Sequence, residues 1–167
     1  RYNPDGSLDT TFADDGEQMT DFGFPANAND IAIDSNGKLV VAGTVDFVAD
    51  SDFAIARYNP DGSLDTSFSD EGTETTNFGS DESANGVAIQ SDGKIVGLGS
   101  SDTGGETNFA LARYDTNGSL DPTFSDDGKQ TTTFGTSDHG LALAIQTDGK
   151  VVAVGDEDDG TDFAIAR

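Results

Sequence analysis

The feature that most constrains this chain is an internal repeat. Residues 52–68 recur almost letter for letter at residues 108–124. The opening half of this segment ends the chain at residues 162–167, and its closing half begins the chain at residues 1–12. The marker arginines are Arg1, Arg57, Arg113 and Arg167, which are 56, 56 and 54 residues apart. Periods of this length are typical of repeat arrays and propellers, in which each unit needs its neighbours to bury its apolar faces.

Each repeat predicts four short strands. In the middle copy, residues 85–89 and 94–99 are apolar runs joined by a turn that contains Asp92-Gly93. Such pairs are typical of hairpins, because they tolerate the positive φ angles of tight turns. A third strand at residues 108–114 places large and small side chains on opposite faces. The fourth strand is predicted in the Thr-rich stretches 16–22, 72–78 and 128–134.

The pattern as a whole predicts an all-β fold of tandem four-stranded antiparallel blades, as in a β-propeller. A β-solenoid is the competing fold, but its coils are usually shorter and lack these hairpin signals. Two blades can be laid out in full, and the third is split between the two ends of the sequence. The predicted units are 1–28 (outer strand of the split blade plus linker), 29–84, 85–140 and 141–167 (first three strands of the split blade).

The residues also resemble a known family. Three motifs recur at fixed offsets: Phe-Ala-[Ile/Leu]-Ala-Arg-Tyr, Gly-Ser-Leu-Asp-x-[Thr/Ser]-Phe, and [Asn/Asp]-Gly-Lys before an apolar strand. In these motifs the whole chain resembles the delta-60 repeat, a domain of unknown function assigned to β-propellers. The resemblance implies a blade in a secreted or surface-attached, often bacterial, protein. It implies no reaction and supplies no catalytic residues.

Composition narrows the range of partners. The 167-residue chain has 32 acidic and 8 basic residues, for a formal net charge of −24 at pH 7. This charge argues against nucleic acid or an anionic membrane as a partner and favours cations. The chain has no Cys, which excludes disulfides and thiolate chemistry. No apolar run approaches the length of a membrane span, so membrane insertion is not expected.

The strongest ligand-like pattern lies in the Gly-Ser-Leu-Asp turns. Oxygen-bearing side chains two residues apart, followed by Gly and a later carboxylate, resemble short calcium-binding loops. We therefore expect calcium to raise the melting temperature of the protein through these turns. The alternative is an Asx-type turn, in which the same oxygens accept hydrogen bonds from backbone N–H groups. The candidate ligands are Asn3, Asp5, Asp9, Asn59, Asp61, Asp65, Asp115, Asn117 and Asp121.

The repeated charged and aromatic side chains predict internal contacts. Arg57 and Arg113 lie in an otherwise apolar strand, where each needs a carboxylate partner such as the Asp of the following turn. A ring of arginines facing a ligand near a propeller axis is the alternative. Aromatic side chains are predicted to wedge between blades, with stacking on sugar rings as the alternative. These aromatic residues are Tyr2, Tyr58, Tyr114, Phe12, Phe68 and Phe124.

The loops that differ between copies fall at one end of each predicted blade. They are residues 44–52, 100–108 and 156–162 after the second strand, and 23–29, 79–84 and 135–140 before the first. Such loops form the predicted binding face, unless they vary because nothing constrains them. His139, the single histidine, lies in one of these loops and is expected to be solvated. The sequence lacks nucleophile-elbow, phosphate-loop and HExxH patterns.

These observations predict a non-enzymatic structural or interaction module of an extracellular or cell-surface protein. The alternatives are a calcium-dependent glycan-binding module and, third, a hydrolase that uses the Asp-rich loop at residues 156–162. Expected partners are neighbouring repeats or other copies of the chain, with glycan or protein on the variable-loop face. Three blades do not close a propeller ring, so the split blade is expected to be completed elsewhere. Head-to-tail pairing of copies, in a closed six-blade pair or an open filament, is one solution, and adjoining repeats in a longer chain are the other.

Overall fold

A computed structural model of the chain describes residues 1–157 and 162–167, which form three antiparallel sheets and no helix. Sheet 1 contains β1 (Ala26–Ile33), β2 (Leu39–Asp46), β3 (Ser51–Tyr58) and β4 (Thr73–Thr76). Sheet 2 contains β5 (Glu82–Ile89), β6 (Ile95–Thr103), β7 (Glu106–Tyr114) and β8 (Lys129–Thr132). Sheet 3 contains β9 (His139–Ile145), β10 (Val151–Glu157) and β11 (Asp162–Ala166). Within each sheet, every strand pairs with the next strand along the chain, which confirms the predicted all-β meander.

No helix in the described part of the chain is long and apolar enough to cross a membrane.

The hairpins between the first and second strands form where Asn-Gly and Asp-Gly predict them. In the first hairpin Gly37 N donates to Asp34 O at 3.0 Å, and Asp34 N donates to Lys38 O at 2.9 Å. Gly37 has a φ of 80°, and the preceding Asn36 keeps a negative φ. The glycine alone therefore supplies the left-handed conformation that the turn requires.

The predicted loop at residues 100–108 is wrong, because most of it is strand. β6 extends to Thr103 and β7 begins at Glu106, and these two residues pair with each other. Gly104 and Gly105, at φ 70° and 92°, close the hairpin as a two-residue turn. Two consecutive residues with positive φ suit the twist of a hairpin, so the ladder extends to its tip.

The fourth strand predicted at residues 16–22 is also wrong. β4 forms because it pairs with β3. Residues 16–22, in contrast, have no third strand to pair with in the described structure. They nevertheless lie where a fourth strand would lie relative to the next sheet. Thr20 Oγ1 is 2.6 Å from Tyr58 Oη, and Thr76 Oγ1 of β4 is 2.7 Å from Tyr114 Oη. The segment is therefore in position for a strand without a ladder partner.

Sheet 2 lies between the other two sheets and uses both of its faces, because side chains alternate along a strand. The core between sheets 1 and 2 includes Phe53, Ile55, Phe68, Ala110, Ala112 and Tyr114. The core between sheets 2 and 3 includes Phe109, Leu111, Ala153 and Ala164. The predicted wedge is confirmed for Tyr114 and Phe68, which are both fully buried. It is wrong for Tyr2, which is 74% exposed because no sheet packs against it in the described residues.

A β-bulge in the first strand of each sheet links neighbouring sheets. The register shifts at Asn29, at Asn85 and at Leu141. Asn85 Nδ2 donates to Gly140 O of sheet 3 at 2.8 Å, and Asn29 Nδ2 makes the equivalent bond to sheet 2 at 2.9 Å. Because a bulge brings the two backbones close, the facing position in the second strand is a glycine. A Cβ at Gly99 would lie only 1.8 Å from Ser83 O.

Gly99→Ala is expected to lower the free energy of unfolding by about 3 kcal/mol or more, because the added methyl group overlaps the backbone across the bulge. Gly97→Ala is the matched control in the same strand. Its Cβ would meet no atom closer than 3.7 Å, so we expect little change. Urea unfolding of both variants measures the difference, and equal losses would contradict this account of the bulge.

Candidate functional site

The turn after each third strand is built around a buried ion pair. Arg57 Nε lies 2.7 Å from Asp65 Oδ2, and Arg113 Nε lies 2.7 Å from Asp121 Oδ2. The Arg57 guanidinium also lies over the ring of Phe68, 4.8 Å from its centroid. The predicted pairing with the Asp of the following turn is confirmed. Burial of the arginine inside an apolar strand is possible because the carboxylate and the ring face take the place of water.

A lysine from the hairpin turn joins each pair, which the sequence analysis missed. Lys38 Nζ lies 2.5 Å from Asp65 Oδ2, and Lys94 Nζ lies 2.9 Å from Asp121 Oδ2. Asp65 Oδ1 accepts hydrogen bonds from the N–H and the hydroxyl of Ser67 at 3.1 and 2.6 Å. The constant spacing from lysine to aspartate was the signal available in the sequence. Each aspartate thus joins a hairpin turn, a strand and the following turn.

The electrostatics keep these aspartates ionised. Burial raises the pKa of Asp65, but hydrogen bonds from Lys38 and Ser67 and the charge of Arg57 outweigh burial and hold it well below its ordinary value. The hydrogen bond from Lys94 is the largest cause of the lowered pKa of Asp121. The folded protein therefore binds fewer protons here than the unfolded chain, and this stabilisation is lost as pH falls below about 4.

The nine predicted calcium ligands lie in the turns, but seven of them direct side-chain oxygens to the protein's own donors. Asp61 Oδ1 accepts from Ser63 N at 3.0 Å, and Asn117 Oδ1 accepts from Ser119 N at 3.1 Å. Asn3 and Asn59 direct their side-chain N–H groups to the same kind of serine in their own turns, and Asp115 pairs with Lys94. Asp5 and Asp9 accept from Ser7 N and Thr11 N, each at 3.0 Å.

This is the geometry of an Asx-type turn. The described residues contain no group of three or more His, Cys, Asp or Glu side chains arranged to hold a metal. Calcium binding at these turns stays a prediction of the sequence, and ion pairs with lysine and arginine already engage Asp65 and Asp121.

Adjacent turns are hydrogen-bonded to one another across the sheet boundary. Arg57 Nη1 donates to Thr116 O at 2.7 Å, and Ser69 N donates to Asn117 O at 2.7 Å. Ser69 and Asp70 adopt φ angles of 50° and 59°, and Ser125 and Asp126, which no further turn follows in the described structure, adopt 50° and 69°. The left-handed backbone, which costs a non-glycine residue about 1 kcal/mol, therefore belongs to the turn itself. The turns at residues 1–12 repeat both hydrogen bonds onto the turn of sheet 1.

At the opposite, variable end, two acids meet in the seam between sheets 1 and 2. Asp52 and Glu82 are both buried, and Asn77 Nδ2 donates to Asp52 Oδ1 at 2.8 Å. Ser80 N donates to Glu82 Oε1 at 2.9 Å, but no described donor reaches the buried Glu82 Oε2. Burial raises the pKa of both carboxyl groups, and the charge of Asp52 adds to the rise at Glu82.

The seam between sheets 2 and 3 has only one acid at the equivalent positions. Asn108 stands in the place of Asp52 and accepts from Thr133 Oγ1 at 2.5 Å. Asp138 stands in the place of Glu82 and accepts from the backbone N–H groups of Phe134 and Gly135 at 2.6 and 3.0 Å. The first seam thus has two buried carboxyl groups, those of Asp52 and Glu82, where the second has one, that of Asp138.

His139 is paired rather than only solvated, contrary to expectation. It begins β9, and its Nδ1 lies 3.0 Å from Asp156 Oδ1 in the neighbouring strand. The rest of the Asp-rich loop that the sequence offered as a hydrolase site includes residues 158–161, which lie outside the described residues.

A comparison with protein families agrees with this architecture. A family described as a domain of unknown function (DUF5122) beta-propeller matches residues 1–12, 35–68 and 90–124. The resemblance to this propeller family is confirmed. The DUF5122 matches cover the ion-paired turns and the second and third strands of sheets 1 and 2. No curated protein matches the chain.

Asp65→Asn is expected to lower the free energy of unfolding by about 3 kcal/mol, because it leaves Arg57 buried without a counter-charge. Asp61→Asn, in the same turn, keeps an acceptor for Ser63 and removes only an exposed charge. We expect the Asp61 variant to unfold close to the parent in urea. Similar losses in both variants would show that the turn, rather than the ion pair, matters.

Asp52→Asn is expected to stabilise the protein at pH 7 by about 1 kcal/mol, since it gives the first seam the uncharged residue that the second seam has. The parent's raised carboxyl pKa values mean that its folded state binds more protons than its unfolded state above pH 4. The stability that this pair contributes therefore falls as pH rises from about 4, and the variant, which keeps Glu82, should show a shallower slope. Unfolding free energies between pH 4 and pH 8 test this, and parallel curves for both proteins would refute it.

Proposed function

We propose that the chain is a non-enzymatic structural or interaction module whose sheets pack side by side with further repeats. The observation that supports the proposal is the solvent exposure of one phenylalanine of the repeat. Phe53 and Phe109 are fully buried between sheets, and Phe163, at the same place in sheet 3, is 101% exposed. A side chain that the repeat uses to fill a sheet boundary is thus presented at the end of the array.

The other end of the array is open in a complementary way. Ile31 and Ile33 of β1 are 55% and 65% exposed, whereas their counterparts in sheet 2 pack in the core with sheet 1, Val87 buried and Ile89 partly buried. Exposed apolar faces of this kind mark interaction sites in soluble proteins. We place the module in a secreted or cell-surface protein, which rests on the resemblance to the delta-60 repeat.

Joining two copies in frame, so that Arg167 is followed directly by Tyr2, tests the proposal. The fusion keeps the repeat spacing and turns both open faces at the junction into one sheet boundary. Because stability in repeat arrays is a sum of units and interfaces, we expect the fusion to unfold at a higher urea concentration than the single chain. The same fusion with Asp at position 163 of the first copy is the control. No gain over that control would count against the module.

Calcium-dependent glycan binding is the second candidate. A cleft of about 800 Å³ runs beside the seam of sheets 1 and 2, and Gln90 lines it. Gln90 Nε2 donates to Gly149 O at 2.8 Å, and no described donor reaches its buried Oε1. The cleft is also lined by Asp34 and Asp92, whose carboxylates can accept hydrogen bonds from sugar hydroxyls. Signals on a glycan array that a chelator removes would favour this candidate over the structural module.

A further inference from the structure

We propose that copies of this chain join head to tail, with residues 17–20 of one copy forming the missing fourth strand of sheet 3 in the next. The inference rests on the proposed function and names the partner for its open faces. We call the outer side and edge of β11 the tail face. The head face comprises residues 17–22 together with the adjoining side of sheet 1.

The register follows from the two complete sheets. In sheet 1 the ladder between the third and fourth strands runs from Phe53 opposite Thr76 to Ala56 opposite Thr73, and sheet 2 repeats it. β11 is an edge strand that pairs only with β10, so its other edge is open to a ladder. In the same register, the pairs between copies are Phe163 with Thr20, Ala164 with Met19, Ile165 with Gln18 and Ala166 with Glu17.

The head face already has the shape that the tail face needs. In sheet 2 the surface made by Ala110, Ala112 and Tyr114 covers Phe53 and Ile55 of the preceding sheet. The corresponding surface of sheet 1 is made by Ala54, Ala56 and Tyr58. These residues and residues 18–22 line a groove of about 170 Å³. The hydrogen bond between Thr20 and Tyr58 holds the segment beside this groove, so Phe163 and Ile165 of another copy have a preformed place to enter.

The turns supply a second set of matching groups. Arg113 Nη1 and Ser125 N stand where Arg57 Nη1 and Ser69 N donate to the next turn, but no next turn follows within the described structure. The equivalent acceptors in the turn at the head are Pro4 O and Asp5 O. Head-to-tail contact therefore brings two donors of one copy onto two backbone carbonyls of the other.

Two variants that each block one face test the inference by sedimentation velocity, at high salt to screen the charge of −24 on each copy. In this register the N–H groups of the head segment that face β11 are those of Gln18 and Thr20, because Arg57 N donates to Gly72 O in sheet 1. Gln18→Pro removes one of these donors and so disfavours a ladder there. Phe163→Asp places a charge on the tail face. Gln18 and Phe163 are both exposed in the single chain, so both variants are expected to fold. Each alone should associate at least about tenfold more weakly than the parent.

Mixing the two variants gives the decisive result. Gln18→Pro retains an intact tail face and Phe163→Asp retains an intact head face, so the mixture should form 1:1 dimers and no longer assemblies. Val48→Asp is the matched control, because Val48 is equally exposed but lies in the loop between β2 and β3. It should associate as the parent does.

Three outcomes would overturn the inference: a parent that stays monomeric at all concentrations, a mixture that stays monomeric, or a Gln18→Pro variant that assembles like the parent. The proposed function is tested separately by the in-frame fusion. A stabilised fusion with a monomeric parent would retain the module and reject only the joining of separate copies.

Discussion

The structure depends first on the pairing of a buried arginine with the aspartate eight residues later. An arginine in an apolar strand is unfavourable unless its charge is matched, and Asp65 matches that of Arg57 from a distance of 2.7 Å. This pairing fixes the conformation of the turn, because the chain must bring Asp65 back to the end of β3. This turn also places Phe68 beneath the guanidinium of Arg57 and directs the chain toward the outer edge of the sheet. The remaining N–H group of Arg57 then binds Thr116 O, so one side chain sets both the fold of a repeat and its contact with the next.

The two ends of each sheet are built under different constraints. At the turn end, every copy repeats the same ion pair and the same left-handed backbone, and Arg57 and Ser69 donate hydrogen bonds to the neighbouring turn. At the other end, the seams differ: Asp52 and Glu82 meet in one, and Asn108 and Asp138 in the other. The turn end is therefore the part of the repeat that specifies stacking. The variable end is free to change chemistry while the stacking is kept.

Much of this could be predicted from the sequence, because the pattern repeats and buried charge has few solutions. The hairpins, the alternation of faces in β7 and the Arg–Asp pair all followed from local rules. The strand at residues 16–22 did not, since a strand exists only with a partner and the pattern contains no information about whether that partner is present. Calcium ligands and Asx turns need the same oxygens at the same spacing, so the pattern at Asp61 could not separate them. The lysine contacts were missed because they join residues distant in sequence.

The complementarity of the two open faces is a consequence of the repeat itself. Each sheet covers its predecessor with alanines and a tyrosine and presents a phenylalanine and an aliphatic residue to its successor. Wherever such an array is interrupted, one end shows the covering face and the other shows the face to be covered. The contact is heterologous, so it cannot be satisfied by two identical faces meeting across a twofold axis. Repulsion between copies that each carry a charge of −24 opposes association at long range, whereas the apolar side chains and the backbone ladder act only at contact. Geometry and ionic strength, rather than apolar area alone, therefore decide whether the array extends.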